Sequence, residues 1–151
     1  MKVYTIGFTQ KSAKEFFELI KRNEIELLID IRLNNVSQLA GFAKGKDLEY
    51  FLNEICNCKY VHDDLFAPTK ELLDDYRAKK ISWDKYEEIF SNIINVRNLA
   101  ERFKKLYTKS EKVCFSTGVE CAPAHYEPIS GRVRALDKQY KDKNLILANI
   151  E

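Results

Sequence analysis

No apolar run in the 151-residue chain approaches the roughly 18 residues of a membrane span, so no membrane partner is expected. The chain also lacks an excess of either charge. Its 25 Lys and Arg and 23 Asp and Glu are interspersed and leave a net charge of +2, which excludes a global electrostatic pull toward nucleic acid or membrane. A local basic patch is all that composition permits. Neither a Gly-x-Gly-x-x-Gly nor a Walker A pattern occurs, so no nucleotide cofactor held in either usual way is expected, nor any other cofactor. Neither Cys114 nor Cys121 has an arginine six residues later, which excludes a phosphatase loop of the Cys-x-x-x-x-x-Arg kind. Internal repeats, low-complexity tracts and linkers are missing, and the whole of 1–151 reads as one α/β domain. The opening residues turn polar too soon for a signal peptide, so a cytoplasmic protein with four reduced cysteines is expected.

What is present is ordinary globular composition, 45% hydrophobic and 32% charged, patterned as alternating strands and helices. Residues 2–6 are β-rich and stop at Gly7. Ser12-Ala13-Lys14-Glu15 has the form of a capping box, and Phe16, Phe17, Leu19 and Ile20 give the helix behind it an apolar face. Residues 26–32 form an apolar run that turns abruptly polar, as a central parallel strand does. Residues 33–45 read as irregular; Leu48, Phe51, Leu52 and Ile55 then repeat at helical spacing. A third strand is expected over 59–62 and a helix over 69–81 behind Pro68. Ser82 caps the longest helical pattern of the chain, whose stripe runs through Trp83, Tyr86, Phe90, Ile93, Arg97 and Ala100 toward Leu106. A fourth strand over 111–116, a helix over 132–141 and a last strand over 145–148 complete the pattern.

Alternating strands and helices imply right-handed crossovers. The expected fold is a three-layer α/β sandwich, with a mostly parallel central sheet of about five strands flanked by helices. Ligands of such sheets bind beyond the carboxyl ends of the strands. That rule selects Gly7, Phe8 and Thr9 after the first strand, Asp30 and Arg32 at the end of the second, His62 and Asp64 after the third, and Ser116, Thr117 and Gly118 after the fourth. His125 lies in the loop that follows, so both histidines of the chain fall at this edge.

Each of these residues has a chemical reading and a plain one. Arg32 offers a planar fork suited to phosphate or carboxylate; otherwise it forms an internal ion pair with Asp30 or Asp64. Asp30 reads as a positioning group for Arg32 rather than as a general base. His62, beside Asp63 and Asp64, reads as an imidazole oriented by a carboxylate and acting as base or ligand, or as one hydrogen-bonded to backbone at the cleft edge. His62, His125 and Asp64 are the candidate catalytic residues. Gly7, Thr9, Asp30, Arg32, Ser116, Thr117 and Gly118 are the candidate substrate contacts, with the hydroxyls and turn N–H groups able to donate to a phosphate or merely to cap turns. Cys56-x-Cys58 with His62 is not a standard zinc spacing, and Cys58 leads into a strand where a core side chain is expected, so no metal is assigned.

The same residues resemble a family pattern. Tyr4-Thr5-Ile6-Gly7-Phe8-Thr9 resembles the opening Tyr-Thr-Ile-Gly-His-Ser of the domain-of-unknown-function 488 family, and Leu27-Leu28-Ile29-Asp30-Ile31-Arg32 resembles its Leu-Val-Asp-Val-Arg strand. Phe42, Leu48, Tyr60-Val61-His62 and Leu65 follow in the family's order, and a long helix precedes the strand at Val113. The family's last motif, Cys-x-Glu followed by Cys-His-Arg, is degenerate here. An ungapped alignment leaves Gly118 and Ala124-His125-Tyr126, while a register matching Glu120 and Pro123 loses even the histidine. Phe8 stands where the family carries its opening histidine. The resemblance therefore implies the family's fold with an altered site. The composite expectation is an enzyme, or a relic of one, acting at the C-terminal edge of the sheet on a phosphate-bearing substrate, a nucleotide or nucleic-acid phosphate, so the expected partner is a small anionic ligand or a nucleic-acid phosphate. The alternatives are a non-catalytic binding or regulatory module using the same cleft, or a purely structural partner protein.

Overall fold

A computed structural model of the chain describes residues 2–8, 11–36, 41–117 and 146–149. Strand β1 (Lys2–Gly7) leads to helix α1 (Ala13–Arg22), whose capping box is fully formed. The Ser12 N–H donates to Glu15 Oε2 at 2.8 Å and the Glu15 N–H to Ser12 Oγ at 3.2 Å. Such reciprocal caps satisfy donors that the first helical turn leaves orphaned. Strand β2 (Leu27–Asp30) is buried at every position, because both of its faces meet helices. A 3-10 turn (Gly41–Ala43) then leads into α2 (Gly45–Cys56), and β3 (Lys59–His62) follows. A second 3-10 turn (Asp64–Phe66) precedes α3 (Lys70–Arg77), α4 (Trp83–Val96) and α5 (Leu99–Tyr107). Strands β4 (Lys112–Thr117) and β5 (Ile146–Asn149) complete the described elements.

The five strands pair in the order β3-β2-β4-β1-β5, and every pairing is parallel. This order explains where the helices lie. From β1 to β2 to β3 the chain winds outward, and right-handed crossovers put α1 and α2 on one face. From β3 it returns to β4, inserted between β2 and β1, so α3, α4 and α5 cover the opposite face. Two cores result. On the first face Tyr4, Ile6, Phe8, Leu28 and Cys114 pack against Phe16, Phe17 and Ile20 of α1 and Leu48 and Leu52 of α2. On the second, Val3, Leu27, Ile29, Val113 and Phe115 meet Leu72, Tyr86, Phe90, Ile94 and Phe103. Period-two alternation along β1, β2, β3 and β4 feeds both cores. The α/β sandwich expected from the pattern is thus the observed fold. No described helix is long and apolar enough to cross a membrane.

Three sequence expectations need correction. The long helical pattern beyond Ser82 is two helices, not one: Asn98 adopts the left-handed conformation, φ 51°, and breaks the ladder between Val96 and Leu99. Asparagine tolerates that region better than most residues, so the apolar stripe runs unbroken across a real kink. The helix expected over 69–81 is Lys70–Arg77, capped by Thr69, and the chain turns at Lys79, φ 57°. The irregular stretch 33–45 closes earlier than expected, with Gly41–Ala43 in a 3-10 turn and Gly45 already helical. The helix expected over 132–141 lies outside the described residues.

Candidate functional site

The strand order identifies one place where the winding reverses. The strand that follows β2 lies to one side of it, while the strand that follows β4 lies to the other. In open α/β sheets ligands bind beyond the carboxyl ends of two such neighbours. Register then sets which residues stand there. His62, Asp30, Ser116 and Ile6 form one row across β3, β2, β4 and β1. Ile6 packs into the α1/α2 core, and residues in register on parallel strands share a face, so the whole row belongs to that face. The ladder runs one residue further, with the Ile31 N–H donating to Ser116 O at 3.0 Å and the Asp63 N–H to Asp30 O at 2.9 Å.

Asp30 is fully buried and its carboxylate is heavily solvated by protein. Oδ1 accepts from the Arg32 backbone N–H at 3.2 Å and from Arg32 Nε at 2.8 Å. Oδ2 accepts from Arg32 Nη2 at 2.6 Å and from the Tyr60 hydroxyl at 2.8 Å. The Arg32 side chain is only 4% exposed, so this is a buried, bidentate ion pair. Nη2 also donates to Ala43 O at 2.6 Å, which ties the pair to the 3-10 turn before α2. Phe8 carries the guanidinium from below, with Cζ 4.6 Å from the ring centroid, and stacks in turn on Phe16 at 4.8 Å. Burial, and after it the Asp30 charge, push the Tyr60 phenol well above its ordinary range, so it stays a donor. Asn35 Nδ2 donates to that phenol at 3.2 Å. Gly45 makes room for it, since a Cβ there would stand 2.5 Å from Asn35 Nδ2.

This network uses Nε and Nη2 and leaves Nη1 over. Arg32 Nη1 and Ser116 Oγ are both buried and have no hydrogen-bond partner among the described residues. A third such atom, the Tyr86 hydroxyl, belongs to the opposite core. Buried polar groups are ordinarily paired, and each orphan calls for a reason. One orphan thus stands just beyond the end of β2 and the other on the neighbouring β4, at the reversal point of the sheet.

The other predicted residues sort themselves around it. His62 is exposed, and its ring is held by Arg32 O at 2.7 Å from Nε2 rather than by a carboxylate. Since a carbonyl only accepts, Nε2 donates in that bond, and Nδ1 is the ring nitrogen left over. Asp64 opens the second 3-10 turn and is exposed. Gly7 closes β1 in register with Thr117. Gly7, Arg32 and His62 thus share the carboxyl edge, while Thr9, Gly118 and His125 lie outside the described residues.

Sequence reading missed two groups of residues. Tyr60 and Asn35 complete the Asp30 shell; the signal available was β3 periodicity, which puts Tyr60 on the face of His62. Asp63, 4% exposed, accepts at Oδ2 from Arg102 Nε at 2.8 Å and from the Tyr107 hydroxyl at 2.5 Å. Arg97 Nη1 meets Leu65 O and Ala67 O, each at 2.7 Å. Both arginines clamp the loop after β3 from the α4–α5 side. Burial raises the Cys56 thiol to about 11 and the Cys58 thiol to about 12, and Cys114 rises too, so these are core groups and poor nucleophiles. Among the described residues, no group of three or more His, Cys, Asp or Glu is placed to hold a metal ion.

Fold and site together define a parallel, doubly wound α/β domain with buried polar side chains at the reversal point of its sheet. The chain belongs to the family of Domain of unknown function DUF488, which matches residues 12–122. That span holds the Leu27–Arg32 and Tyr60–His62 motifs and begins after the Tyr4–Thr9 one. No curated protein and no solved structure matches the chain.

Proposed function

We propose that the protein is an enzyme acting on a phosphate-bearing substrate, a nucleotide or nucleic-acid phosphate, bound where β2 and β4 end. The observation that carries this reading is the pair of buried donors, Arg32 Nη1 and Ser116 Oγ, that no described residue satisfies. A phosphate oxygen at Nη1 and a second at Oγ would relieve both, and hydrogen bonds from a charged donor are the stronger kind. In this reading Asp30 is a positioning residue: four donors occupy it, so it has no capacity left as a base. His62 supplies the proton-transfer group through Nδ1, its ring oriented by Arg32 O. No metal and no cofactor enters the reading.

A second reading, a non-catalytic binding module using the same crevice, is supported by a different observation. Both buried carboxylates described at this edge, Asp30 and Asp63, are engaged by arginine and tyrosine, which leaves His62 without a carboxylate partner among the described residues. The test is a thermal-shift screen with inorganic phosphate, nucleoside phosphates and a short oligothymidylate, since a ligand of the folded state raises Tm with its occupancy. Binding by wild type that weakens in Ser116→Ala supports the site; turnover of the bound compound that vanishes in His62→Ala supports the enzyme over the module. A screen in which no phosphate compound moves Tm removes both readings.

A further inference from the structure

We infer that the crevice is built for a singly charged phosphate, a phosphodiester, and discriminates against the dianion of a terminal phosphate. The inference rests on the phosphate reading above and narrows its substrate class. Arg32 does not offer a bare positive charge. Its guanidinium is bound on one side to Asp30, whose carboxylate is wholly buried, so the pair is neutral as a unit. What remains at Nη1 is a directed donor backed by a dipole, with Ser116 Oγ, an uncharged hydroxyl, as its companion.

Charge arithmetic then separates the two kinds of phosphate. Attraction to the Asp30–Arg32 dipole grows in proportion to the ligand's charge, whereas the cost of taking that charge out of water grows as its square. Doubling the charge therefore doubles the gain and quadruples the loss. A dianion needs a second, uncompensated cation in the crevice. Among the described residues, the titratable or charged groups in contact there are Asp30 at the end of β2, Arg32 just beyond it, and Tyr60 and His62 on β3. From α1 the crevice receives Phe16 behind Phe8, which is apolar. Asp30 opposes a second negative charge, and Tyr60 is committed to Asp30 as a donor.

The test compares two probes of near-identical composition, thymidine 3′,5′-cyclic phosphate and thymidine 5′-phosphate, titrated into the full chain at pH 8 and pH 5.5 and followed by NMR. The linear diester thymidylyl-thymidine is run beside them, to separate a polynucleotide source of the diester from a cyclic one. A diester keeps one charge at both pH values; a monoester passes from dianion to monoanion near pH 6. We expect either diester to bind at least about tenfold more tightly than the monoester at pH 8, a gap that closes to within about threefold at pH 5.5. The ratio of affinities, not any single one, is the readout, because a change in the protein between the two pH values acts on all probes. In Asp30→Asn, checked for native circular dichroism, the ratio at pH 8 should fall toward one. A monoester that binds as tightly as both diesters at pH 8, or a ratio that ignores pH, overturns the charge preference while leaving phosphate binding intact. Silence from all three probes and from inorganic phosphate overturns the phosphate reading itself.

Discussion

Two aspartate–arginine pairs stand at the ends of neighbouring strands, and they are put to different uses. At the end of β2, Asp30 and Arg32 are both buried, with side-chain exposures of 0% and 4%. Just beyond β3, Asp63 is equally buried, but its partner Arg102 comes from α5 and is 37% exposed. Asp63 Oδ2 is closed off by Arg102 and Tyr107, and the outcome is a fastened loop. The Asp30 pair is also fully engaged on the carboxylate side, but its arginine keeps one buried nitrogen without a partner among the described residues, as does the Ser116 hydroxyl on the neighbouring β4. Burial of the carboxylate alone thus does not separate an architectural ion pair from a binding one; a buried donor left over on the arginine does.

Removing each arginine tests the difference most strongly. Arg32→Gln strands a carboxylate that has no access to water, and should cost about 3–5 kcal/mol of folding stability. Arg102→Gln leaves Asp63 with the Tyr107 hydroxyl, and the lost partner was already partly in solvent, so about 1 kcal/mol is expected after screening. Urea melts of the two variants beside wild type measure both. Equal losses would break the comparison, because Arg32 would then be no more embedded than Arg102. A large loss for Arg32→Gln with unchanged affinity for a phosphate probe would make Arg32 architecture and end its role in binding.

A second difference between the two faces is chemical. The α1/α2 side holds Cys56, Cys58 and Cys114, whose thiols burial raises above their ordinary value. Cys58 moves from 9.0 to about 12. Above pH 9 the unfolded chain loses this proton while the folded chain keeps it, so unfolding releases a proton and stability falls as pH rises through the window from 9 to about 12. At pH 10 the penalty from Cys58 alone is about 1.4 kcal/mol, one pH unit above the unfolded value. Melts at pH 8 and pH 10 should show this fall in wild type and a visibly shallower one in Cys58→Ala, whatever that substitution costs at both pH values. An identical fall in the two proteins would remove Cys58 as its source.

Much of this organisation was legible in the residues. The Ser12–Glu15 box, the apolar run ending Asp30-Ile31-Arg32 and the polar end of β3 are local patterns, and local patterns survive folding. An Asp30–Arg32 pair is legible too, since residues two apart on an extended chain share a face. Its shell was not legible: Tyr60, Asn35 and the Ala43 carbonyl reach Asp30 and Arg32 only through strand pairing and the return of the loop before α2. The break at Asn98 hid for the opposite reason. Apolar spacing continues across it, with neither glycine nor proline to mark it, and Arg97, which looked like part of the stripe, instead turns to hold two carbonyls of the loop after β3. Sequence pattern reports which face a side chain takes; it does not report how many of a side chain's donors the fold will consume.

The smallest effect is the most diagnostic. Ser116 is fully buried, its Oγ has no partner among the described residues, and its register neighbours on β2 and β1 are Asp30 and Ile6. A hydroxyl kept in a core without a hydrogen bond is a net cost to folding, since it was hydrogen-bonded to water in the unfolded chain. Ser116→Ala removes that cost at almost no change in volume. The variant should be as stable as wild type or more stable by up to about 1 kcal/mol. If the hydroxyl is kept for a ligand, the same change should weaken binding of a phosphodiester probe by about 1.5 kcal/mol or more, the scale of a hydrogen bond to a charged group. Opposite signs for stability and affinity are the mark of a residue retained for binding, and no architectural role produces them. Tyr86 is the internal control: its hydroxyl is equally orphaned but lies in the α3–α5 core, so Tyr86→Phe should match or gain stability and leave affinity unchanged. If Ser116→Ala instead destabilises the fold and binds the probe as wild type does, the hydroxyl belongs to the architecture, and the two ion pairs differ in burial but not in purpose.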